Sequence, residues 1–105
     1  MKPLLDLIKH GQSYWLDNLT RTMLKNGALQ KRVETQGLRG VTSNPAIFQK
    51  AISGSTDYDA QIAQLVQAQR SVLDIYEQLT VTDVQDACDI LRPVYDTSDG
   101  ADGFV

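Results

Sequence analysis

The sequence predicts an α/β fold with a parallel sheet and helical crossovers, and three observations predict it. Short apolar or aromatic runs at 13–17, 38–42 and 103–105 have the length and composition of strands. The stretches between them carry apolar residues at helical spacing and end at Gly, Asn or Pro. Strands alternating with helices in this order imply parallel pairing, because a parallel pair needs a long crossover. The last run begins only as the 105 residues end. Three strands cannot close a barrel, and a closed (β/α)8 barrel takes ~250 residues. Residues 1–105 are therefore expected to be part of one larger domain.

Each element has a local reason. Pro3 suits a first helical turn, Leu4, Leu7 and Ile8 share a face, and Gly11 reads as the stop. Ser13-Tyr14-Trp15-Leu16-Asp17 suits a buried strand ending at Asp17. Leu19, Met23 and Leu24 fall on one helix face up to Asn26-Gly27, and Leu29, Arg32 and Val33 on another up to Gly37. Leu38–Thr42 reads as the second strand. Asn44 then looks like an N-cap, with Pro45 opening a helix through Ala46, Ile47, Phe48 and Ala51. After a break at Gly54–Asp57, Tyr58, Ile62, Leu65 and Val66 mark one amphipathic helix, and Val72, Leu73, Ile75, Tyr76 and Leu79 mark the next. Thr80 to Asp83, or Thr82 to Gln85, reads as a capping box that starts a further helix. Val84, Ala87, Cys88 and Leu91 continue it at i, i+3, i+4, i+7. Asp96–Gly100 is a turn, and Gly103-Phe104-Val105 opens the third strand.

Composition narrows the functional classes. Apolar residues make up 42% and charged residues 22%, values that suit a globular chain rather than a disordered one. No run approaches the roughly 18 apolar residues of a membrane span. Asp6 and Lys9 interrupt the apolar start, and Gly11-Gln12-Ser13 is a poor signal-peptide cleavage site. The basic residues are scattered, without interleaved aromatic residues, so neither nucleic acid nor a membrane is an expected partner. Charge is uneven: residues 1–70 sum to +4 and residues 71–105 to −7. Cys88 is the single cysteine, which excludes an intrachain disulfide and a thiolate metal cluster; a reducing, cytoplasmic setting is expected. His10 has no partner at ligand spacing, so no metal site is proposed. Cys88, Tyr14 and Trp15 read as packing residues, and Asp83, Asp86 and Asp89 as the solvated side of a helix.

The segment Gly40-Val41-Thr42-Ser43-Asn44-Pro45-Ala46-Ile47-Phe48 resembles the transaldolase signature, in which a strand ends in Thr-Ser/Thr-Asn-Pro before a helix. Its flanks agree. Gly11–Asp17 is similar to the family's first strand with its terminal aspartate. Leu91–Asp96 and Asp99–Val105 resemble the approach to its third strand. The resemblance runs essentially end to end and is closest to the longer bacterial form, which also occurs fused to a phosphoglucose isomerase.

It implies an incomplete (β/α)8 TIM barrel, its first two to three strands with several helices. It also implies a cofactor-free enzyme of the pentose phosphate pathway. Such enzymes move a dihydroxyacetone unit from a sugar phosphate, sedoheptulose 7-phosphate, to glyceraldehyde 3-phosphate through a lysine Schiff base. Asp17 matches the general acid/base, Asn44 the asparagine that hydrogen-bonds the dihydroxyacetone unit, and Thr42 a neighbouring pocket residue. Residue chemistry alone offers other roles: Asp17 as the cap of a helix starting near Asn18, and Asn44 as an N-cap. The two roles of Asn44 are compatible if Ser43 and the backbone supply the cap, and Ser43 is read as structural. No lysine matches the Schiff-base position, which falls beyond Val105, so these 105 residues alone are expected to be inactive. An open sheet implies self-association or pairing with the missing C-terminal part. A non-enzymatic helical interaction module, or a truncated relic, is the competing reading.

Overall fold

The computed structural model describes residues 5–105, so Pro3 and Leu4 of the first expected helix lie outside the described residues. A 3-10 helix at Leu7–His10 ends at Gly11. The two strands are β1 (Tyr14–Leu16) and β2 (Leu38–Val41), and they pair in parallel. Between them lie α1 (Arg21–Lys25) and α2 (Ala28–Gln36), which make the crossover. After β2 come α3 (Pro45–Gly54), α4 (Asp59–Gln67) and α5 (Val72–Thr97).

The expected third strand is present as a start. Gly40 and Phe104 form an isolated parallel bridge. The Val41 amide donates to Phe104 O at 3.1 Å, and the Gly103 amide to Arg39 O at 2.8 Å. β2 is thus the middle of a parallel arrangement. Gly103 has φ +91° and lies against Tyr95, where an added Cβ would come 2.4 Å from the Tyr95 backbone nitrogen. Only glycine can make this approach as the chain leaves α5 for the sheet.

The core lies between the sheet and α5. Leu19, Met23, Leu29, Leu38, Val41 and Phe48 pack with Ala87, Leu91 and Val94, and Tyr14 and Leu16 pack against their edge. This settles which face of the strands meets the helices. Tyr14 and Leu16 point inward, and Trp15, 40% exposed, points to the other side.

Four expectations require correction. The stretch 72–97 is one 26-residue helix, not two. The hydroxyls that were to cap a second helix turn back instead: Thr80 Oγ1 donates to Glu77 O and Thr82 Oγ1 to Gln78 O. This is the ordinary alternative for a mid-helix threonine. Asp83 is not on the solvated side but fully buried, and Cys88 is exposed rather than core. The buried stripe runs Leu79, Asp83, Ala87, Leu91, a ladder of four-residue steps that leaves Val84 half-buried and turns Cys88 outward. Finally, Val72 and Leu73 do not pack; they are 85% and 75% exposed.

An α5 of this length spans about 39 Å. The molecule measures 50 × 25 × 20 Å, with a radius of gyration of 15.4 Å. A compact domain of this length would have about 13 Å. The structure is an extended α/β assembly with one open sheet face.

Candidate functional site

β1 and β2 end side by side, and the residues just beyond them are Asp17 and Thr42. The Thr42 amide donates to Leu16 O at 2.9 Å, which carries the pairing one step past β2. Thr42 Oγ1 then donates to Asp17 Oδ1 at 2.7 Å. Both side chains are exposed, on the sheet face turned away from the helices. The hydroxyl fixes the orientation of the carboxylate and leaves Asp17 Oδ2 without a partner among the described residues. The cap suggested for Asp17 is not made. The helix starts at Arg21, four residues later, and Thr20 caps it by accepting from the Met23 amide at 3.4 Å. The aspartate is therefore free of helix duty.

Asn44 differs. Its Oδ1 accepts from the Ala46 amide at 3.0 Å and the Ile47 amide at 3.4 Å, so Asn44 itself caps α3. Asn44 is thus the N-cap that its place before Pro45 suggested, and Ser43 does not supply this cap. Only one end of the amide is engaged, and Nδ2 has no partner among the described residues. The structure thus joins Asp17 to Thr42 and sets Asn44 two residues further on, half-buried, with a donor still available. Beside Asp17, the Asn18 Oδ1 is buried without a hydrogen-bond partner.

None of the described cavities is lined by Asp17, Thr42 or Asn44, although one reaches their neighbours Ser43 and Pro45. One of about 350 Å³ runs between α3 and α5, lined by Ser43, Pro45, Phe48, Tyr76, Val81 and Val84. Another, of about 450 Å³, is bounded by Thr20, Thr22, Ile47, Lys50 and Ser55. Beside the second, the Thr22 hydroxyl donates to Asp57 and holds that carboxyl below its usual range. Two strands and a bridge do not wall in a pocket, so the Asp17–Thr42 pair sits on an open face. Among the described residues, no group of three or more His, Cys, Asp or Glu could hold a metal ion. Among the described residues, no helix is long and apolar enough to cross a membrane.

A second polar cluster was not foreseen. Arg21 Nε donates to Asp83 Oδ1 at 2.8 Å, and Arg21 Nη2 to Leu79 O at 3.2 Å. Tyr58 Oη donates to Asp83 Oδ2 at 2.5 Å and accepts from the Arg21 amide at 3.0 Å. The guanidinium also lies 4.2 Å from the centre of the Tyr58 ring. The available signal was the position of Asp83 between Leu79 and Ala87 on the four-residue ladder, where a carboxylate needs a buried partner.

Comparison with known proteins gives the family. The family described as Transaldolase/Fructose-6-phosphate aldolase matches residues 14–105, from the first residue of β1 onward. The chain belongs to this family. Transaldolase 2 of Nostoc punctiforme is 52% identical over 102 residues, which are 97% of this chain and 27% of that protein. The transaldolase of Trichodesmium erythraeum is 48% identical over the same shares. That of Thiobacillus denitrificans is 46% identical over 95% of this chain and 28% of its own length. The chain thus spans about 27% of the length of the curated relatives it matches. In this transaldolase-family chain the strand-end residues Asp17 and Thr42 are already in contact, although most of a relative's length is not represented.

Proposed function

We propose that this chain is the opening part of a transaldolase barrel and carries the proton-transfer and substrate-orienting side of its site. The observation that carries the reading is the Thr42–Asp17 hydrogen bond of 2.7 Å at the ends of adjacent parallel strands. In barrels of this class, catalytic residues stand at C-terminal strand ends. Asp17 acts as general acid/base: Thr42 holds one carboxylate oxygen, and the other takes the proton from the substrate hydroxyl as the carbon–carbon bond breaks. Asn44 orients the dihydroxyacetone unit. Its cap and its substrate contact use opposite ends of one amide, so the two roles do not compete.

The complete enzyme transfers the dihydroxyacetone unit from sedoheptulose 7-phosphate to glyceraldehyde 3-phosphate in the pentose phosphate pathway, a cytoplasmic reaction. A lysine supplied outside residues 1–105 forms the Schiff base. Support for that placement is geometric: Lys9 lies on the 3-10 helix and Lys25, Lys31 and Lys50 on α1, α2 and α3, so no described lysine stands on a strand. These 105 residues alone are inactive on this reading.

Borohydride trapping tests it. The intact protein incubated with fructose 6-phosphate and borohydride should gain a covalent adduct on one lysine outside residues 1–105. Absence of any adduct, with protein shown to be folded, sinks the transaldolase reading. An adduct on Lys9, Lys25, Lys31 or Lys50 sinks the inactivity of this segment instead.

A further inference from the structure

The pairing of β1 with β2 contains a slip. Tyr14 pairs with Leu38, but Trp15 pairs with Gly40, so Arg39 is an extra residue in β2. The slip carries forward: Leu16 pairs with Val41, and Thr42 comes beside Asp17. In the unslipped register Asp17 would stand beside Val41, which is fully buried in the core. Side chains alternate along a strand, so a one-residue change of register exchanges the two faces. Bulges are rare in parallel pairs and recur beside active sites, where they re-aim a side chain.

The residues at the slip show what holds it. Trp15 lies on Gly40: a Cβ at Gly40 would fall 2.3 Å from Trp15 Cε2 and 2.5 Å from Cδ2. Gly40 does not have a positive φ, so room rather than backbone freedom calls for glycine. The indole can lie there only when Gly40, and not Arg39, is its neighbour. Arg39 is drawn elsewhere, with its Nε 3.0 Å from Asp102 Oδ2, while Ser13 Oγ donates to the other oxygen of Asp102 at 2.8 Å. The extra residue is thereby anchored on the next segment of chain.

We infer that Trp15 and Gly40 form a register lock and are positioning residues for the Asp17–Thr42 pair. The indole fills the space of the missing Cβ, selects the slipped pairing, and so sets a hydroxyl rather than an isopropyl group beside the aspartate. The lock stands on geometry alone; its kinetic consequence rests on the transaldolase reading.

Hydrogen exchange by mass spectrometry on the intact protein tests the lock, with Gly40→Ala, Trp15→Ala and Trp15→Phe. Peptides carrying the Thr42 amide should exchange about tenfold faster in the two alanine variants, while α5 peptides keep their native protection. In the same variants kcat should fall about 100-fold with KM changed far less, because a misplacement of about 1 Å suffices for such a loss. Trp15→Phe keeps a flat ring on Gly40 and should restore most of both. Native exchange around Thr42 and native kcat in Trp15→Ala overturn the inference. That variant decides the matter alone if Gly40→Ala unfolds, since it removes bulk without creating a clash. Faster exchange in a protein that proves to have no transaldolase activity supports the lock and rejects the enzymatic reading.

Discussion

The Arg21–Tyr58–Asp83 cluster and the Asp17–Thr42 pair are each built around an aspartate, and the two aspartates differ in how much water they meet. Asp83 is fully buried, and its carboxylate accepts from a guanidinium and a phenol. Asp17 is exposed, with one hydroxyl on one oxygen. A buried carboxylate without partners is costly, so the fold must hold Arg21, Tyr58 and Asp83 together to stand. The cluster joins α1, the residue before α4, and the middle of α5. The exposed pair joins only two strand ends. It contributes little to holding the chain together, and one of its carboxylate oxygens stays open to solvent. Burial makes the first aspartate structural, and exposure leaves the second available for chemistry.

The largest effect expected from this contrast comes from Asp83→Ala. It would strand Arg21, whose side chain is 7% exposed, without its counter-charge. The expected cost is about 3–5 kcal/mol, measured by urea denaturation. A loss below ~1 kcal/mol would show that the cluster is not the tie described here.

Tyr58→Phe comes next, at about 1–3 kcal/mol, because it leaves Asp83 one donor short and the Arg21 amide without an acceptor. Its effect also depends on pH. Burial, and then the hydrogen bond to Asp83, push the Tyr58 phenol above its ordinary value of 10.0. The fold therefore favours the neutral phenol. That contribution is intact below about pH 10 and is lost as pH rises beyond it through the folded value. Denaturation curves should show the wild type losing more stability than Tyr58→Phe above about pH 10. Parallel curves would remove the phenol from the account.

Asp17→Asn should have the smallest effect on stability, within about 0.5 kcal/mol, since it removes charge from an exposed site and no cap. On the proposed reading it should nevertheless lower transfer activity in the intact enzyme by about 100-fold or more. A melting temperature lowered as far as by Asp83→Ala would erase the distinction between the two aspartates.

Much of this was legible along the chain. Tyr14–Leu16 and Leu38–Val41 declare themselves by short apolar runs, and Asn44-Pro45 marks the start of α3 by a cap and a first-turn proline. The reading erred where a local signal competed with a distant partner. Thr80-Val81-Thr82-Asp83 has the form of a helix start, yet Asp83 is taken by Arg21, 62 positions away, and the helix continues. Cys88 was assigned to the buried stripe with Val84 because the apolar pattern fits two faces about one residue apart; Val84 does pack against the core, and Cys88 does not. Contact with Leu19 and Val41, not periodicity, chooses between them.

The sequence by itself determined the α/β class and the parallel order of the strands, because these follow from residue type and spacing along the chain; the candidacy of Asp17, Thr42 and Asn44 followed from the resemblance to the transaldolase signature. Only the tertiary structure decided which of those residues meet. The slip that places Thr42 beside Asp17 depends on an indole in one strand finding no side chain in the other. The burial of Asp83 depends on an arginine from α1 and a tyrosine from the turn before α4. The capping threonine ahead of Arg21, by leaving Asp17 uncapped and exposed, is where the local and the distant parts of that account join.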